Sequence, residues 1–456
     1  MKTLNLVNIA KACNGELKNI SENDIRLSKE ASSVVIDSRL SAEGSIFIAT
    51  PGERTDGHKY IPDVANKGAL GVVCEKAPVD VDIPYILVKD SFEALKKIAC
   101  FYRDNLNIPI VGITGSVGKT STKEFIAGCL SAKYNVLKTK GNHNNEIGVP
   151  LTLLSIMDDH EIAVVEMGIS DFGEMDRLTA MVKPDTCVIT NIGQCHLEKL
   201  IDRDGVLKAK TAIFKSMNPK GAIFLNGDDD KLRTVTAPYE REPVFFGISK
   251  DNDIYPENLE GKGLLGSDTE IVYKNLNDRL KVHVPLPGQH MVANALVAAA
   301  VGCEYGLSPE EIKKGIESVA STSGRSNVIK TDKYILIDDC YNANPVSMKS
   351  AIDLLMLSDT RRVAILGDMF ELGENEEALH AEVGRYAREK GVDALIAIGE
   401  LSENLYRAFG KGENVYHYPD LESAFLDINN RLKTGDSILL KASHGMHFEK
   451  LLERLK

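Results

Sequence analysis

The residues best suited to chemistry lie in the segment ITGSVGKTST, which runs from Ile113 to Thr122. A buried apolar strand enters a glycine-rich turn that ends in Gly118-Lys119-Thr120. In such a turn the backbone N–H groups surround phosphates, the lysine reaches the terminal phosphates, and the threonine hydroxyl faces Mg²⁺. The segment therefore predicts binding of a nucleoside triphosphate. It leaves open whether the γ-phosphate goes to water, to a protein or to a small carboxylate.

Further polar residues follow other predicted strands. Glu166 comes near the end of EIAVVEMG, His196 follows TCVITNIG, and Asp339 ends the strand of YILIDDC. Ligands of open α/β sheets bind outside the carboxyl ends of the strands, and a carboxylate beside a phosphate loop normally serves Mg²⁺. From the residues alone, Glu166 is a magnesium ligand or a solvated strand-end carboxylate, and His196 is a metal ligand or a structural histidine. The turn over 338–348 binds ribose or a peptide, or is a plain βα connection.

Two lysines, Lys208 and Lys210, lie in the helical segment LKAKTAIF. A solvated helix face is the ordinary interpretation of lysines at this spacing. The residue pattern by itself therefore assigns them no chemistry.

The pattern of strands and helices predicts three α/β domains. Residues 1–106 mix short strands with a helix over 91–105 and form a smaller substrate domain. Over 107–324, buried strands alternate with helices, which is typical of a P-loop mononucleotide-binding domain. The pattern restarts over 325–456, which predicts a Rossmann-like C-terminal domain whose strand ends face the central one.

Composition narrows the class of protein. The 456 residues carry 54 Lys and Arg against 66 Asp and Glu, a net charge of −12, which argues against non-specific binding of nucleic acid. The N-terminal segment lacks the layout of a signal peptide, and the longest apolar stretch, near Ala295–Val301, is too short to span a bilayer. The 8 cysteines form no CxxC pair and are expected to be core thiols in a reducing cytoplasm. We expect a cytoplasmic monomer without membrane insertion.

Taken together, the motifs resemble the Mur ligase family over essentially the whole chain. The match is most distinctive in three segments: GNHNNEIGVPLTLL, YNANPVSM and LGDMFELG. It is supported by TGSVGKTSTKE, EMGISDFGEM, NIGQCHLE, LNGDDD and LPGQHMVANALVAAA. Within the family the chain is most similar to the ligases that join D-alanyl-D-alanine to UDP-N-acetylmuramoyl-tripeptide in cytoplasmic peptidoglycan synthesis, and thereby support cell wall formation, cell shape and cell division.

The resemblance implies an ATP-dependent carbon–nitrogen ligase of three domains. The first binds the UDP-sugar peptide, the second binds ATP, and the third closes over both. It also implies that the γ-phosphate goes to the C-terminal carboxylate of the tripeptide, giving an acyl phosphate that the dipeptide amine then attacks. Since all the reacting groups are anionic, catalysis must consist of positioning and charge neutralisation.

The resemblance further implies roles for individual residues. Lys119, His196 and Lys210 are expected to be catalytic, and Lys210 to be carried as a carbamate, which turns a cation into an anionic metal ligand. ATP is expected to contact Thr114, Gly115, Ser116, Val117, Gly118, Lys119, Thr120, Asn294, Arg325 and Asp339. Two Mg²⁺ ions are expected on Thr120, Glu166, His196 and Lys210. The UDP-peptide and the dipeptide are expected to contact Ser38, Arg39, Asn142, Asn144, Asn145, Asn344, Asp368 and His444.

One position departs from the family pattern. The run KASHGMHFE has His444 where many relatives have arginine. A permanently charged guanidinium group is thus replaced by imidazole, a type of side chain that titrates near neutrality. We expect His444 near the dipeptide carboxylate and Asp368 near its ammonium. Neither expectation follows from the residue pattern alone.

Two alternatives remain at this point. The first is a Mur ligase that adds a single amino acid. The motifs EMG and YNANP argue against it. The second is a non-catalytic binding protein that uses the nucleotide as a switch. Retention of Lys119, Glu166, His196 and Lys210 argues against it, because a switch needs no second metal.

Overall fold

The computed structural model describes residues 1–52, 55–236, 238–274, 278–321 and 323–456. Three separate β-sheets follow one another along the chain, over residues 16–87, 110–284 and 327–441. The predicted three-domain α/β fold is confirmed. The domain limits at 106/107 and 324/325 fall between the sheets and stay predictions. Within the described ranges, no helix is both long and apolar enough to cross a membrane.

The N-terminal sheet has the strand order β1-β5-β4-β3-β2, in which β1 is antiparallel to β5 and the other pairs are parallel. The predicted helix over 91–105 is α3, and it begins where the Asp90 side chain accepts the Glu93 N–H at 2.9 Å. The elements are α1 (Leu6–Cys13), β1 (Glu16–Lys18), β2 (Val34–Val35), β3 (Ile46–Ile48), α2 (Ile61–Asn66), β4 (Gly71–Cys74), β5 (Tyr85–Leu87) and α3 (Ser91–Asp104).

Helix α3 joins the first domain firmly to the second. The buried Tyr102 hydroxyl donates to the Ile156 carbonyl at 2.5 Å, and Arg103 Nε donates to the Val182 carbonyl at 2.8 Å. One continuous apolar core runs from Leu4 in the first domain to Leu232 in the second. The two domains therefore pack as a single unit.

The central sheet has nine strands in the order β14-β13-β12-β11-β10-β9-β6-β8-β7. Its strands are parallel from β7 to β12, and β13 and β14 add an antiparallel extension for which the sequence pattern made no prediction. The strands are β6 (Ile110–Thr114), β7 (Val136–Lys138), β8 (Ile162–Glu166), β9 (Thr186–Ile189), β10 (Ala222–Asn226), β11 (Val244–Phe246), β12 (Ile254–Gly261), β13 (Ser267–Tyr273) and β14 (Asp278–Val284). The helices are α4 (Lys119–Leu130), α5 (Gly148–Leu153), α6 (Glu174–Val182), α7 (Leu197–Leu200), α8 (Arg203–Thr211), α9 (Gln289–Glu304) and α10 (Pro309–Glu317).

Strand β6 lies between β8 and β9, although it precedes both in the chain. Chain connections leave to opposite sides at such a point, and the loops at the carboxyl ends separate to form a crevice. The turn after β6 opens into this crevice and carries the predicted phosphate loop.

The C-terminal sheet has the order β15-β16-β20-β17-β18-β19, and only β15 is antiparallel to its neighbour among these strands. Apolar cores cover both faces, and Leu264, at the tip of the β12–β13 hairpin, packs against one of them. The elements are β15 (Asn327–Lys330), β16 (Ile335–Asp338), α11 (Pro345–Leu355), β17 (Arg362–Gly367), α12 (Glu376–Lys390), β18 (Ala394–Ile398), α13 (Ser402–Phe409), β19 (Val415–Tyr418), α14 (Leu421–Arg431), β20 (Ser437–Lys441) and α15 (Glu449–Leu455).

Candidate active site

A cavity of about 630 Å³ lies between the central and C-terminal sheets. The loops that follow β6, β8 and β9 form one wall, and the loops that follow β16 and β17, together with the end of β20, form the other. Because each wall is built from the carboxyl ends of parallel strands, the cavity has the location at which α/β proteins bind ligands. We refer to it as the cleft.

The phosphate loop on the central wall is shaped by two glycines. A Cβ at Gly115 would lie 1.9 Å from Thr190 Oγ1, so no larger residue fits there. Gly118 has φ +80°, which favours glycine, and its Cα faces open space among the described residues. Asn191 Oδ1 accepts the Val117 N–H at 2.9 Å and holds the loop against the end of β9. The loop is therefore preformed.

Lys119 lies across this loop and donates to the carbonyls of Gly115, at 2.8 Å, and Ser116, at 3.4 Å. Burial lowers the pKa of Lys119, whereas the Glu166 charge acts in the opposite direction. Lys119 thus brings a cation to a loop rich in N–H donors. This combination suits a polyphosphate.

Glu166, at the end of β8, is a buried carboxylate next to the first turn of α4. Thr120 Oγ1 donates to Glu166 Oε2 at 3.0 Å, and Asn144 Nδ2 donates to Glu166 Oε1 at 2.8 Å. Lys123 Nζ lies 3.8 Å from Glu166 Oε2 and supplies the nearest positive charge. The structure thus brings Thr120 and Glu166 together, and their oxygen atoms are of the kind that Mg²⁺ prefers.

His196 reaches the opposite wall of the cleft. Its Nδ1 lies 2.8 Å from Glu371 Oε2, in the loop that follows β17. Burial lowers the pKa of His196, and the nearby Lys210 and Lys119 act in the same direction, whereas Glu371 opposes them. These influences show that Lys119, His196 and Lys210 occupy one electrostatic neighbourhood.

Lys210 lies on α8, which begins where the Asp202 side chain accepts the Gly205 N–H at 2.8 Å. Lys210 is 1% exposed, whereas Lys208 on the same helix is exposed to solvent. Across the described ranges, Lys210 Nζ donates no hydrogen bond, and no carboxylate lies within 4 Å of it. Burial lowers its pKa to about 8, with repulsion from Lys119 adding to the effect. The expectation of a solvated helix face is thus wrong for Lys210.

Among the remaining predicted nucleotide contacts, Asn294, Arg325 and Asp339 line the cleft, whereas Thr114 and Gly115 are absent from its described lining. Asn294 Oδ1 accepts the Thr122 hydroxyl at 2.8 Å, which ties α9 to α4. On the other wall, Lys441 Nζ lies 2.6 Å from Asp339 Oδ2, and Arg325 faces the same space. The two walls therefore contribute polar groups to one cavity.

The predicted substrate residues divide into two groups. Asn144, Asn145 and Asn344 line the cleft, although Asn145 and Asn344 also cap the starts of α5 and α11. Five others are absent from the described lining: Ser38, Arg39, Asn142, Asp368 and His444. Arg39 is 87% exposed and pairs with Asp37 at 2.7 Å in the N-terminal domain.

Asp368 is the clearest departure from expectation. It is buried, and its Oδ1 accepts the Ser402 hydroxyl at 2.6 Å and the Ser402 N–H at 2.7 Å. Its carboxylate is thus used at the start of α13, and the structure does not bring Asp368 to the cleft. His444 is exposed outside the lining, with its ring 5.7 Å from that of Tyr341.

Sequence reasoning missed several residues of the cleft, namely His290, Tyr341, Glu371 and Lys441. All four lie in motifs that stood out for other reasons: LPGQHMVANALVAAA, DDCYNANPVSM, LGDMFELG and KASHGMHFE. The motifs mark the right strand ends, but the pattern does not tell which side chain of each turn points into the cleft. Among the described residues, no three His, Cys, Asp or Glu side chains form a cluster that could hold a metal ion on their own.

Comparison with known proteins adds an independent line of observation. Residues 30–103 match the domain described as Mur ligase family, catalytic domain; residues 113–302 match the Mur ligase middle domain; and residues 324–444 match the Mur ligase, glutamate ligase domain. The UDP-N-acetylmuramoyl-tripeptide–D-alanyl-D-alanine ligase of Bacillus subtilis (strain 168) is 35% identical over 431 residues, covering 92% of each chain. The ligase of the same name from Escherichia coli (strain K12) is 33% identical over 461 residues, covering 100% of this chain and 99% of the relative.

Solved structures give the same result. A MurF structure from Acinetobacter baumannii superposes with a TM-score of 0.87 at 30% identity, covering 99% of this chain and 98% of the other. MurF ligase from Thermotoga maritima in complex with ADP superposes with a TM-score of 0.80 at 29% identity, covering 92% and 96%.

Proposed function

The chain belongs to the Mur ligase family, and from this premise we propose that it joins D-alanyl-D-alanine to UDP-N-acetylmuramoyl-tripeptide in an ATP-dependent reaction. One observation carries the proposal. The phosphate loop with Lys119 and the C-terminal wall with Arg325 and Asp339 line one cavity, in a chain whose full-length relatives bear the name of this ligase. The chain is a ligase of peptidoglycan precursor synthesis.

In the proposed reaction, the tripeptide carboxylate attacks the γ-phosphorus of ATP, forming a C–O–P linkage as the bond to ADP breaks. The dipeptide amine then attacks the acyl carbon and loses a proton, and inorganic phosphate leaves from the tetrahedral intermediate. Every reactant near the γ-phosphate is anionic, so Lys119 and Arg325 have to lower the repulsion between them. Lys119, now bonded to loop carbonyls, would turn toward the terminal phosphates.

The residues present fit one Mg²⁺ ion well. Thr120 and Glu166 present oxygen atoms 3.0 Å apart beside the phosphate loop, and Asn144 orients the carboxylate from the other side. When bound there, Mg²⁺ would neutralise charge on the β- and γ-phosphates. Asn144 would in that case also orient the carboxylate that holds the ion.

A second Mg²⁺ is proposed on His196 and Lys210. His196 offers one ring nitrogen, and Lys210 becomes a ligand only after carbamylation. In that step the neutral Nζ attacks CO₂, an N–C bond forms as one C=O π bond opens onto oxygen, and a proton leaves the nitrogen for solvent. The buried, unpaired Lys210, whose pKa is lowered to about 8, supports this step because roughly a tenth of the amine is uncharged at pH 7, far more than for an ordinary lysine.

The substrate roles are proposed in part from the resemblance. The UDP-peptide is proposed to contact Ser38 and Arg39 in the first domain and to pass Asn142, Asn144 and Asn145 on its way to the cleft. Asn344 and His444 are proposed contacts of the dipeptide. We also propose that the working unit is a monomer in the cytoplasm.

The test is mass spectrometry of the product formed from ATP, a UDP-tripeptide and D-alanyl-D-alanine. The expected product is the UDP-linked pentapeptide together with ADP and phosphate. Parallel reactions replace the dipeptide by D-alanine, L-lysine or meso-diaminopimelate, and use tripeptides that end in L-lysine or meso-diaminopimelate. Faster phosphate release with a single amino acid would assign the chain to another branch of the family. ATP turnover that needs neither substrate would favour the nucleotide-dependent binding protein.

A further inference from the structure

Arg325 is held in the cleft by an aromatic ring. Its guanidinium carbon lies 3.7 Å from the centre of the Tyr341 ring, the shortest of the four arginine–aromatic distances among the described residues. An arginine that lies flat on a ring face is stabilised by the ring quadrupole and by stacking. The ring therefore fixes the direction of the side chain.

The backbone around Arg325 is fixed as well. Asp338 Oδ2 accepts the Gly324 N–H at 2.7 Å, and Asp339 Oδ1 accepts the Ser326 N–H at 2.9 Å. Ser326 has φ +51°, a left-handed conformation that the surrounding contacts have to maintain. The turn is thus clamped to the end of β16, so Arg325 moves with the C-terminal domain.

The Arg325 charge remains unneutralised. In the part of the chain that the structure describes, no carboxylate lies within 4 Å of the guanidinium. Arg431 provides the contrast, because it lies 4.2 Å from the Tyr416 ring centre and also donates to Asp427 Oδ2 at 2.5 Å. A ring orients an arginine without cancelling its charge, whereas a carboxylate does both.

Arg325 and Lys119 face each other across the cleft. Arg325 lines the C-terminal wall, Lys119 lines the loop on the central wall, and the Arg325 charge contributes to lowering the pKa of Lys119. Two cations that repel each other across a cavity are both stabilised when a polyanion binds between them. The terminal phosphates of ATP fit this description, since Lys119 of a phosphate loop reaches those groups.

We propose that Tyr341 is a positioning residue that holds Arg325 over the terminal phosphates of ATP while leaving its charge available. The inference rests on the proposed function only in taking ATP as the ligand. Within the described chain, the Tyr341 hydroxyl has no hydrogen-bond partner, so the ring itself is the part that acts.

The experiment compares the affinities of Mg·ATP and AMP by calorimetry for wild type, Tyr341→Leu and Tyr341→Phe. We expect Tyr341→Leu to weaken Mg·ATP binding about fivefold and AMP binding less than about twofold, because AMP lacks the terminal phosphates. Tyr341→Phe keeps the ring and should retain most of the Mg·ATP affinity. The matched control is Tyr416→Leu, which removes a similar arginine–ring contact away from the cleft and should change neither affinity.

A double-mutant cycle then separates positioning from a general structural effect. In an Arg325→Ala background, Tyr341→Leu should weaken Mg·ATP binding no further, since Tyr341 acts through Arg325. An equal loss for ATP and AMP, a full loss in Tyr341→Phe, or a persistent effect in the Arg325→Ala background would each overturn the proposal. If Tyr341→Leu does not fold, Tyr341→Met makes the same comparison with a larger apolar side chain. Nucleotide binding needs neither peptide substrate, so a failure of the ligase assignment would be seen separately.

Discussion

His196 of the central domain and Glu371 of the C-terminal domain meet across the cleft, with Nδ1 2.8 Å from Oε2. Both residues have left-handed backbone conformations, with φ +51° for His196 and +62° for Glu371. Each such residue other than glycine costs about 1–3 kcal/mol and persists only where its surroundings impose it. The pair therefore links two strained turns, one after β9 and one after β17, and it helps to define the separation of the two walls.

Glu371→Gln should loosen this link. Because Glu371 is 65% exposed, the pair is worth at most about 1 kcal/mol, and the ratio of open to closed molecules should rise by no more than about fivefold. Small-angle scattering of the nucleotide-free protein should show a slightly larger radius of gyration. Glu374→Gln removes an exposed charge of the same loop and is the control. A more compact Glu371→Gln protein would contradict the interpretation.

Lys119→Ala should remove the cation that meets the terminal phosphates. We expect ligation to fall on the order of 10²–10³-fold, while the thermal midpoint changes by about 2 °C or less. Phosphate release and a melting curve on the same preparation measure both effects. Lys133→Ala, near the other end of α4, is the matched control. A folded Lys119→Ala protein with near wild-type ligation would refute the role.

Lys210→Ala should abolish ligation, because the buried amine that is proposed to carry the carbamate is lost. Acetate or another small carboxylic acid should restore part of the activity by supplying the missing anion. Lys208→Ala tests the neighbouring, solvent-exposed lysine on α8 and should behave like wild type. Full activity of Lys210→Ala without any response to acetate would show that Lys210 has no such role.

The carbamate itself should depend on pH. Only the uncharged amine reacts with CO₂, and burial lowers the pKa of Lys210 to about 8, so the reactive fraction rises as pH increases through that value. At a fixed pressure of ¹³CO₂, the carbamate carbonyl signal in ¹³C NMR should grow between mildly acidic and mildly basic pH. The same signal should be missing from Lys210→Ala. A wild-type protein without a signal at any pH would rule out carbamylation under these conditions.

Local sequence patterns were sufficient for the phosphate loop and for the most buried parallel strands, such as β6 and β8, but they did not identify the parallel strands β7, β11, β12 and β19. A continuous apolar run such as that of β6, followed by Gly118-Lys119-Thr120, has few other structural solutions. The antiparallel strands β13 and β14 were also missed, and their partner, β12, is itself an extension of the sheet. Pairing partners of this kind are determined by the whole fold and not by the segment.

In the candidate site, too, some features follow from local sequence patterns and others depend on the whole fold. Lys210 could not be separated from Lys208 by spacing alone, because only the packing of α8 buries one and exposes the other. The acidic residues of LGDMFELG were likewise ambiguous. Ser402, which follows the next strand, engages Asp368, and this leaves Glu371 to reach the cleft. These outcomes depend on contacts between distant parts of the chain, which no local pattern contains.

The continuous core that α3 builds between the first two domains has a consequence for how the protein denatures. One apolar cluster combines residues of the first two domains, such as Leu4 and Leu232, whereas the C-terminal sheet is covered by two other clusters, which among the described residues only Leu264 of the central domain joins. Calorimetry of the ligand-free chain should therefore show two cooperative units, one for the joined N-terminal and central domains and one for the C-terminal domain. A ligand that contacts both walls of the cleft binds only when both units are native, so it should draw the two transitions together.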